Sequence, residues 1–191
     1  MLAYVFWHCP AAGVDADQYE RALAEFHRAL AEAPPDGFAR SFCHHFERLP
    51  WLGEGGPGYE DWYLAEGWTA VGMLETGAVS GSRRGPHDRA AFASAKGAGA
   101  VYGFAAGSVD GLASGSRAWF GRPEETAYHE LDGLLTPALA GGDAGLWRRR
   151  LVLGPAPEHC LAGAPAAELP ADVDAFEAGG RLIFSPSGPF G

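Results

Sequence analysis

The feature that most constrains this chain is the order of its periodic segments. Short β-rich runs alternate with helical stripes, and after residue 116 that order starts again. Leu2 to His8 is a run of strand formers stopped by Cys9-Pro10, which predicts a first strand. Asp15 stands where a helix cap belongs. Tyr19, Leu23, Phe26, Leu30 and Ala33 then follow at intervals of four, three, four and three, the spacing of one helical stripe. Arg21, Glu25, Arg28 and Glu32 occupy the opposite face as exposed charges, and Pro34-Pro35-Asp36-Gly37 ends the helix. Phe38 to Glu47 alternates as a strand, and a Gly/Pro-rich connection over Leu49–Gly58 leads to another strand at Tyr59–Glu66. Trp68, Val71, Leu74 and Ala78 have helical spacing, Pro86 restarts a helix at its first position, and Ala98–Ala105 reads as a strand.

Gly107–Ser116 is rich in Gly and Ser and reads as a linker. Beyond it come a strand at Arg117–Gly121 and a helix opened by Pro123-Glu124-Glu125, with the stripe Tyr128, Leu131, Leu135 and Ala138. Strands at Leu146–Leu153 and Glu158–Ala162, a short helix within Pro170–Ala178 and a last strand at Arg181–Ser185 complete the order. The expected division is a first half over 1–106, a linker over 107–115, a second half over 116–185 and a tail over 186–191, together one compact domain. The fold class is α+β, as two tandem βαββαβ units. This order resembles that of the dimeric α+β barrel superfamily in its single-chain tandem form, where two ferredoxin-like units pack sheet against sheet. Members of that superfamily include cofactor-independent monooxygenases, haem-degrading enzymes, chlorite dismutases and dye-decolorising peroxidases. A fold hosting so many reactions does not select one.

Composition narrows the partners. Of 191 residues, 47% are hydrophobic, with six Trp, eleven Phe and six Tyr, enough apolar mass to build a core without staples. Lys plus Arg total 14 against 24 Asp plus Glu, so the chain carries a net charge of −10, which repels nucleic acid and anionic membranes. The three cysteines, Cys9, Cys43 and Cys160, form no CxxC pair and no disulfide framework. The amino terminus has no basic region or cleavage site and reads as a strand, so a cytoplasmic protein is expected. No apolar run is long enough to span a membrane. The expected assembly is a monomer or a homodimer.

The strand over residues 38–47 carries the most chemistry. Alternation puts Phe38, Arg40, Phe42, His44 and Phe46 on one face, an apolar wall with a few polar groups, as ligand pockets have. If Trp62 and Leu64 of the next strand pack on the helices, Asp61 and Tyr63 point between the sheets, and Arg148 and Arg150 do so opposite Trp147 and Leu151. A cavity lined by Arg40, His44, Asp61, Tyr63, Arg148 and Arg150 follows, with His44 as acid or base and the arginines holding an anionic, aromatic ligand. The same residues would also serve as ion pairs within a sheet interface. Arg83-Arg84-Gly85-Pro86-His87-Asp88 forms a second candidate at a helix start. There Arg83 and Arg84 bind an anion and His87 carries a proton, while His87 and Asp88, as helix neighbours, are expected to face different partners. The reading is a protein that binds a small organic molecule, performing acid–base or oxygen chemistry through His44 or His87 if it is an enzyme, with its site between the sheets under loops 49–58 and 80–88. The alternative is a non-catalytic structural or interaction protein.

Other motifs weigh less. His8-Cys9, Cys43-His44-His45 and His159-Cys160 place metal-ligand types side by side. Strand neighbours point to opposite faces, so no metal site is assigned. Gly53-Glu54-Gly55-Gly56-Pro57-Gly58 spells a dinucleotide fingerprint but leads into a strand, not a helix. Gly107-Ser108-Val109-Asp110-Gly111 is similar to the GxxDG motif of dye-decolorising peroxidases. That resemblance implies a haem-binding oxidoreductase with Asp110 as distal acid and His129 or His159 as iron ligand. No cofactor is assigned from the residues themselves. Trp51, in its Gly/Pro-rich loop, is placed either over a pocket mouth or over core residues.

Overall fold

A computed structural model describes all residues except 141, 152–153, 164–168 and 187–191. The class is α+β, with nine antiparallel strands among the described residues and helices on their outer side. The first half runs β1 (Leu2–Pro10), α1 (Ala16–Glu32), β2 (Phe38–Phe46), β3 (Gly58–Ala65), α2 (Trp68–Ala78), α3 (Arg84–Ala93) and β4 (Ser94–Gly107). The second runs β5 (Ser116–Phe120), α4 (Tyr128–Leu139), β6 (Gly145–Arg149), β7 (His159–Ala162) and β8 (Ala175–Gly179), and β9 (Arg181–Phe184) follows. The spatial order is β8-β5-β7-β6-β4-β1-β3-β2-β9. The first half thus contributes β4-β1-β3-β2 and the second β8-β5-β7-β6, which is the same relative order of first, second, third and fourth strands. The halves join where β4 pairs with β6.

The two ends of that sheet are adjacent in the chain, because only Gly180 separates β8 from β9. Gly180 donates its N–H to Gly115 beside β5, and a Cβ on it would lie 2.6 Å from the Phe46 ring of β2. The sheet therefore curls so that one face becomes an interior shared by both halves. Trp7, Phe42, Trp62 and Tyr102 from the first half meet Trp119, Trp147 and Cys160 from the second in one buried cluster. Trp62 and Trp147 pack edge to face with centroids 5.1 Å apart, as do Trp7 and Trp119 at 5.5 Å, while Trp62 and Trp119 stack at 6.0 Å. Trp51 packs on Trp7, Trp119 and Phe176, so it covers core residues. One ion pair crosses this interior. Arg117 Nε donates to Glu60 Oε1 at 3.0 Å, and the Trp7 and Trp62 indoles also donate to that carboxylate. A fully buried charge is tolerated only with such complete pairing.

On the outer face α1 lies over the first half through Tyr19, Leu23, Phe26 and Leu30, the stripe read from the sequence, with the Asp15 side chain capping its start. Helix α4 covers the second half through Leu131, Leu135 and Ala138, and begins at Tyr128, later than Pro123. Three expectations are corrected. The expected linker contains a short 3-10 helix, Val109–Ala113, whose Gly111 and Leu112 are buried. Gly111 fits because a Cβ there would lie 2.4 Å from the Ala162 and Asp143 carbonyls. The helix expected within Pro170–Ala178 is replaced by β8, since Phe176 and Ala178 alternate inward and pair with β5. Helix α3 begins at Arg84, ahead of Pro86. Of the expected strand Leu146–Leu153, the last two residues lie outside the described ones, as does nearly all of the expected tail.

Candidate functional site

The space between the sheets, where a ligand pocket was expected, is filled by the tryptophan cluster. The cavity lies on the other side of the first-half strands, between β1, β3 and β4 and the cover of α1, α2 and α3, with a volume of ≈ 460 Å³. Tyr4, Phe6 and His8 of β1 point into it, together with Asp61 and Tyr63 of β3. Its depth follows from β4. Gly97 and Gly99 lie directly beneath the Phe6 and Tyr4 rings, where a Cβ would come within 2.2 Å and 2.7 Å of them. Leu23, Phe26, Val71, Leu74 and Ala90 supply the helical walls.

Asp61 is the centre of the polar groups at this cavity. His8 Nε2 lies 3.0 Å from its Oδ2, His27 Nε2 3.1 Å from its Oδ1, and Tyr63 donates its hydroxyl to Oδ2 at 2.8 Å. Burial by itself would raise the Asp61 carboxyl. The charges of His8 and His27 and the hydrogen bonds from both rings outweigh it and hold the group well below the ordinary carboxylate range. An ionised carboxylate only accepts, so both rings present Nε2–H to it. Their other nitrogens are held by hydroxyls. His27 Nδ1 lies 2.7 Å from Ser41 Oγ, His8 Nδ1 lies 2.6 Å from Tyr19 Oη, and Tyr19 Oη lies 2.5 Å from Ser94 Oγ.

These hydroxyls keep both ring nitrogens of His8 hydrogen-bonded in either of two protonation states. With a neutral ring, Tyr19 donates to His8 Nδ1 and Ser94 donates to Tyr19. With a second proton on Nδ1, the ring donates to Tyr19, Tyr19 donates to Ser94, and Ser94 donates to the Ala90 carbonyl at 3.2 Å. Burial, followed by the charge of Asp61, keeps the Tyr63 phenol well above its usual value, so it stays a donor.

The other expected site residues are spread over the molecule. His44 points into the aromatic interior, 3.4 Å from an Arg117 nitrogen, and its Nε2 has no hydrogen-bond partner among the described residues. Burial and the Arg117 charge lower it to about 2, so it is neutral at ordinary pH. Arg40 pairs with Asp110 at 3.1 Å, near the Phe42 ring. Asp61 and Tyr63 face the helices because Trp62 and Leu64 turn inward, the reverse of the expected orientation. Arg148 lies over the Tyr128 ring of α4, and Arg150 lies over Gly103. Arg83 donates to the Gly77 and Ala33 carbonyls and braces the α2–α3 connection, while Arg84 is exposed and 3.6 Å from Asp88. His87 lines the cavity against the Phe26 edge. It also bonds Asp88 through Nδ1 at 3.1 Å, against the expectation that these neighbours face different partners.

Sequence patterning does not mark His27, Tyr19 and Ser94, three residues at the centre of the site, for chemistry, and offers His8 only as a metal-ligand type. The available signal was a histidine adjoining the apolar stripe of α1 and another sharing the face of Tyr4 and Phe6. His27, Cys43 and Asp61 place one ligand atom each within 4.8 Å of one another, a set able to hold a divalent metal, although Asp61 there is already occupied by hydrogen bonds. Of the residues matched to a haem site, Asp110 is tied to Arg40, His159 stacks on Phe120 beneath α4, and His129 is exposed on α4.

The fold is α+β, a nine-stranded antiparallel sheet with a helix-covered cavity on the side of its first four strands. A crystal structure described as a putative monooxygenase from Lactobacillus acidophilus is similar to it, with a TM-score of 0.58 at 10% identity over 96% of this chain and 95% of that one. At that identity the likeness concerns fold alone. No protein-family profile and no curated protein matches the chain. Among the described residues no helix is long and apolar enough to cross a membrane.

Proposed function

We propose that the chain binds a small, largely apolar organic molecule in the cavity between β1, β3 and α2–α3 and performs acid–base chemistry on it: the substrate proton passes to the Ser94 hydroxyl as the Ser94 proton passes to Tyr19 and the Tyr19 proton to His8 Nδ1, with Asp61 orienting the ring. One observation carries this reading: His8 and Ser94 border the cavity, and His8 can take up a proton while Tyr19 and Asp61 keep both its ring nitrogens hydrogen-bonded. Placed groups of this kind contribute about 10²–10⁴-fold to proton transfer. His87, on the opposite wall, is the second proton carrier in this proposal. The name of the structural neighbour favours a second stage with dioxygen as the oxidant, in which the carbanion adds to dioxygen, the peroxide takes back the proton, and the hydroperoxide loses water to leave a carbonyl. We also assign the chain to the dimeric α+β barrel superfamily in its single-chain tandem form, on the repeated strand order and the chain closure at Gly180.

The test uses 2-tetralone, a small apolar ketone with acidic C–H groups, in deuterated buffer. The expected result is protein-catalysed exchange of its α-protons by NMR, reduced roughly a hundredfold in His8→Ala and retained in His44→Leu. Exchange at the buffer rate, or undiminished exchange in His8→Ala, would overturn the reading.

A further inference from the structure

The charges around the cavity are one-sided. It is bordered by two carboxylates, Asp61 and Glu75, by the imidazoles of His8 and His87 and the phenols of Tyr4 and Tyr63, and by no arginine or lysine. The arginines closest in sequence to its α2–α3 cover are committed elsewhere. Arg83 serves backbone carbonyls, Arg84 faces Asp88, and Arg89 pairs with Glu25 at 2.9 Å. Glu75 stands exposed at the cavity rim and is in none of the ion pairs among the described residues. An anionic ligand would therefore enter an apolar space with no arginine or lysine to meet it, against two carboxylates, since His8 Nε2–H is already given to Asp61.

The walls have the complementary property. Tyr4, Phe6, Phe26 and Tyr63 form a connected aromatic surface, with Tyr4 6.1 Å from both Phe6 and Tyr63, and Phe26 6.2 Å from Tyr63. Ring faces attract organic cations, more so where water is excluded. Tyr4 itself registers the local field: burial raises its phenol, and the charges of Asp61 and Glu75 raise it further.

Resting on the cavity proposed above, we infer that its ligand is an organic amine, an apolar body carrying a protonated nitrogen, held by the Tyr4–Phe6–Phe26–Tyr63 surface with Glu75 as its counter-charge. This replaces the anionic ligand expected from the sequence.

The experiment compares three probes with one skeleton, 2-naphthylmethylamine, 2-naphthylmethanol and 2-naphthoate, titrated by calorimetry at pH 7 against the whole chain and Glu75→Gln. The amine should bind at least about tenfold tighter than the carboxylate, with the alcohol between them. In Glu75→Gln, which removes an exposed carboxylate, the amine should lose roughly two- to fivefold while the alcohol is unchanged. Naphthoate binding as tightly as the amine, or an amine-to-alcohol ratio unaffected by Glu75→Gln, would overturn the inference. Binding by none of the three would instead overturn the cavity itself as a ligand site.

Discussion

Asp61 can be replaced in two ways that separate its charge from its hydrogen bonds. In Asp61→Leu the Nε2–H groups of His8 and His27 and the Tyr63 hydroxyl all lose their acceptor in a buried space. Removing one side of such a network costs roughly 3–5 kcal/mol. Asp61→Asn is milder because one side can be repaired. The Asn oxygen keeps His8 and Tyr63, while its NH₂ faces His27. That ring can shift its proton to Nδ1 and donate to Ser41, whose hydroxyl turns from donor to acceptor. Only charge assistance is then lost, about 1–3 kcal/mol. With a urea dependence of ~2 kcal/mol per molar, the Leu variant should unfold about 1.5–2.5 M earlier than the parent and the Asn variant about 0.5–1.5 M earlier. Urea titration followed by tryptophan fluorescence and by circular dichroism measures both. A Leu variant within about 1 kcal/mol of the parent, or an Asn variant less stable than the Leu variant, would refute this reasoning.

Other perturbations have signs set by particular contacts. His44 is lowered to about 2 in the folded chain, so the unfolded chain binds more protons below pH ~6.5, and stability should fall by up to ~1.4 kcal/mol per pH unit as pH drops through that window. His44→Leu should flatten this slope between pH 6 and 4.5, as read from urea midpoints at several pH values. The depressed Asp61 carboxyl acts at lower pH: its contribution is complete above about 3.8 and is lost as pH falls below that, so acid unfolding of Asp61→Asn should be shallower there. Gly111→Ala would press a Cβ to 2.4 Å from two backbone carbonyls, whereas Gly103→Ala meets only the movable Arg150 side chain. The first should lower the thermal midpoint by several degrees and the second by far less, as calorimetry would show.

Much of the first half was legible because its elements are marked by strong local patterns. The stripe of α1 and the alternation of β2 and β3 determine which residues share a face. Alternation does not say which face turns inward, and here both sheet faces are covered, one by helices and one by the other half. Trp62 and Asp61 are therefore equally buried on opposite sides, and the expected orientation was reversed. Locating the site between the sheets followed from that reversal. The second half was harder to read since its strands are short and β8 is spelled in helix-forming residues, Ala175, Glu177 and Ala178, that pairing with β5 overrides. The His8–Asp61–His27 group joins α1, β1 and β3, and contacts across such sequence distances leave no local spacing to find.

The measurement that bears most directly on the site is a crystal of the protein soaked with 2-naphthylmethanol. The expected density lies between β1 and α2, with its ring against Tyr4, Phe6 or Phe26 and its hydroxyl within hydrogen-bond reach of His8, Asp61 or Tyr63. An ordered ligand in the aromatic interior beside His44, or an empty helix-side cavity in crystals of a protein that binds the alcohol in solution, would contradict it.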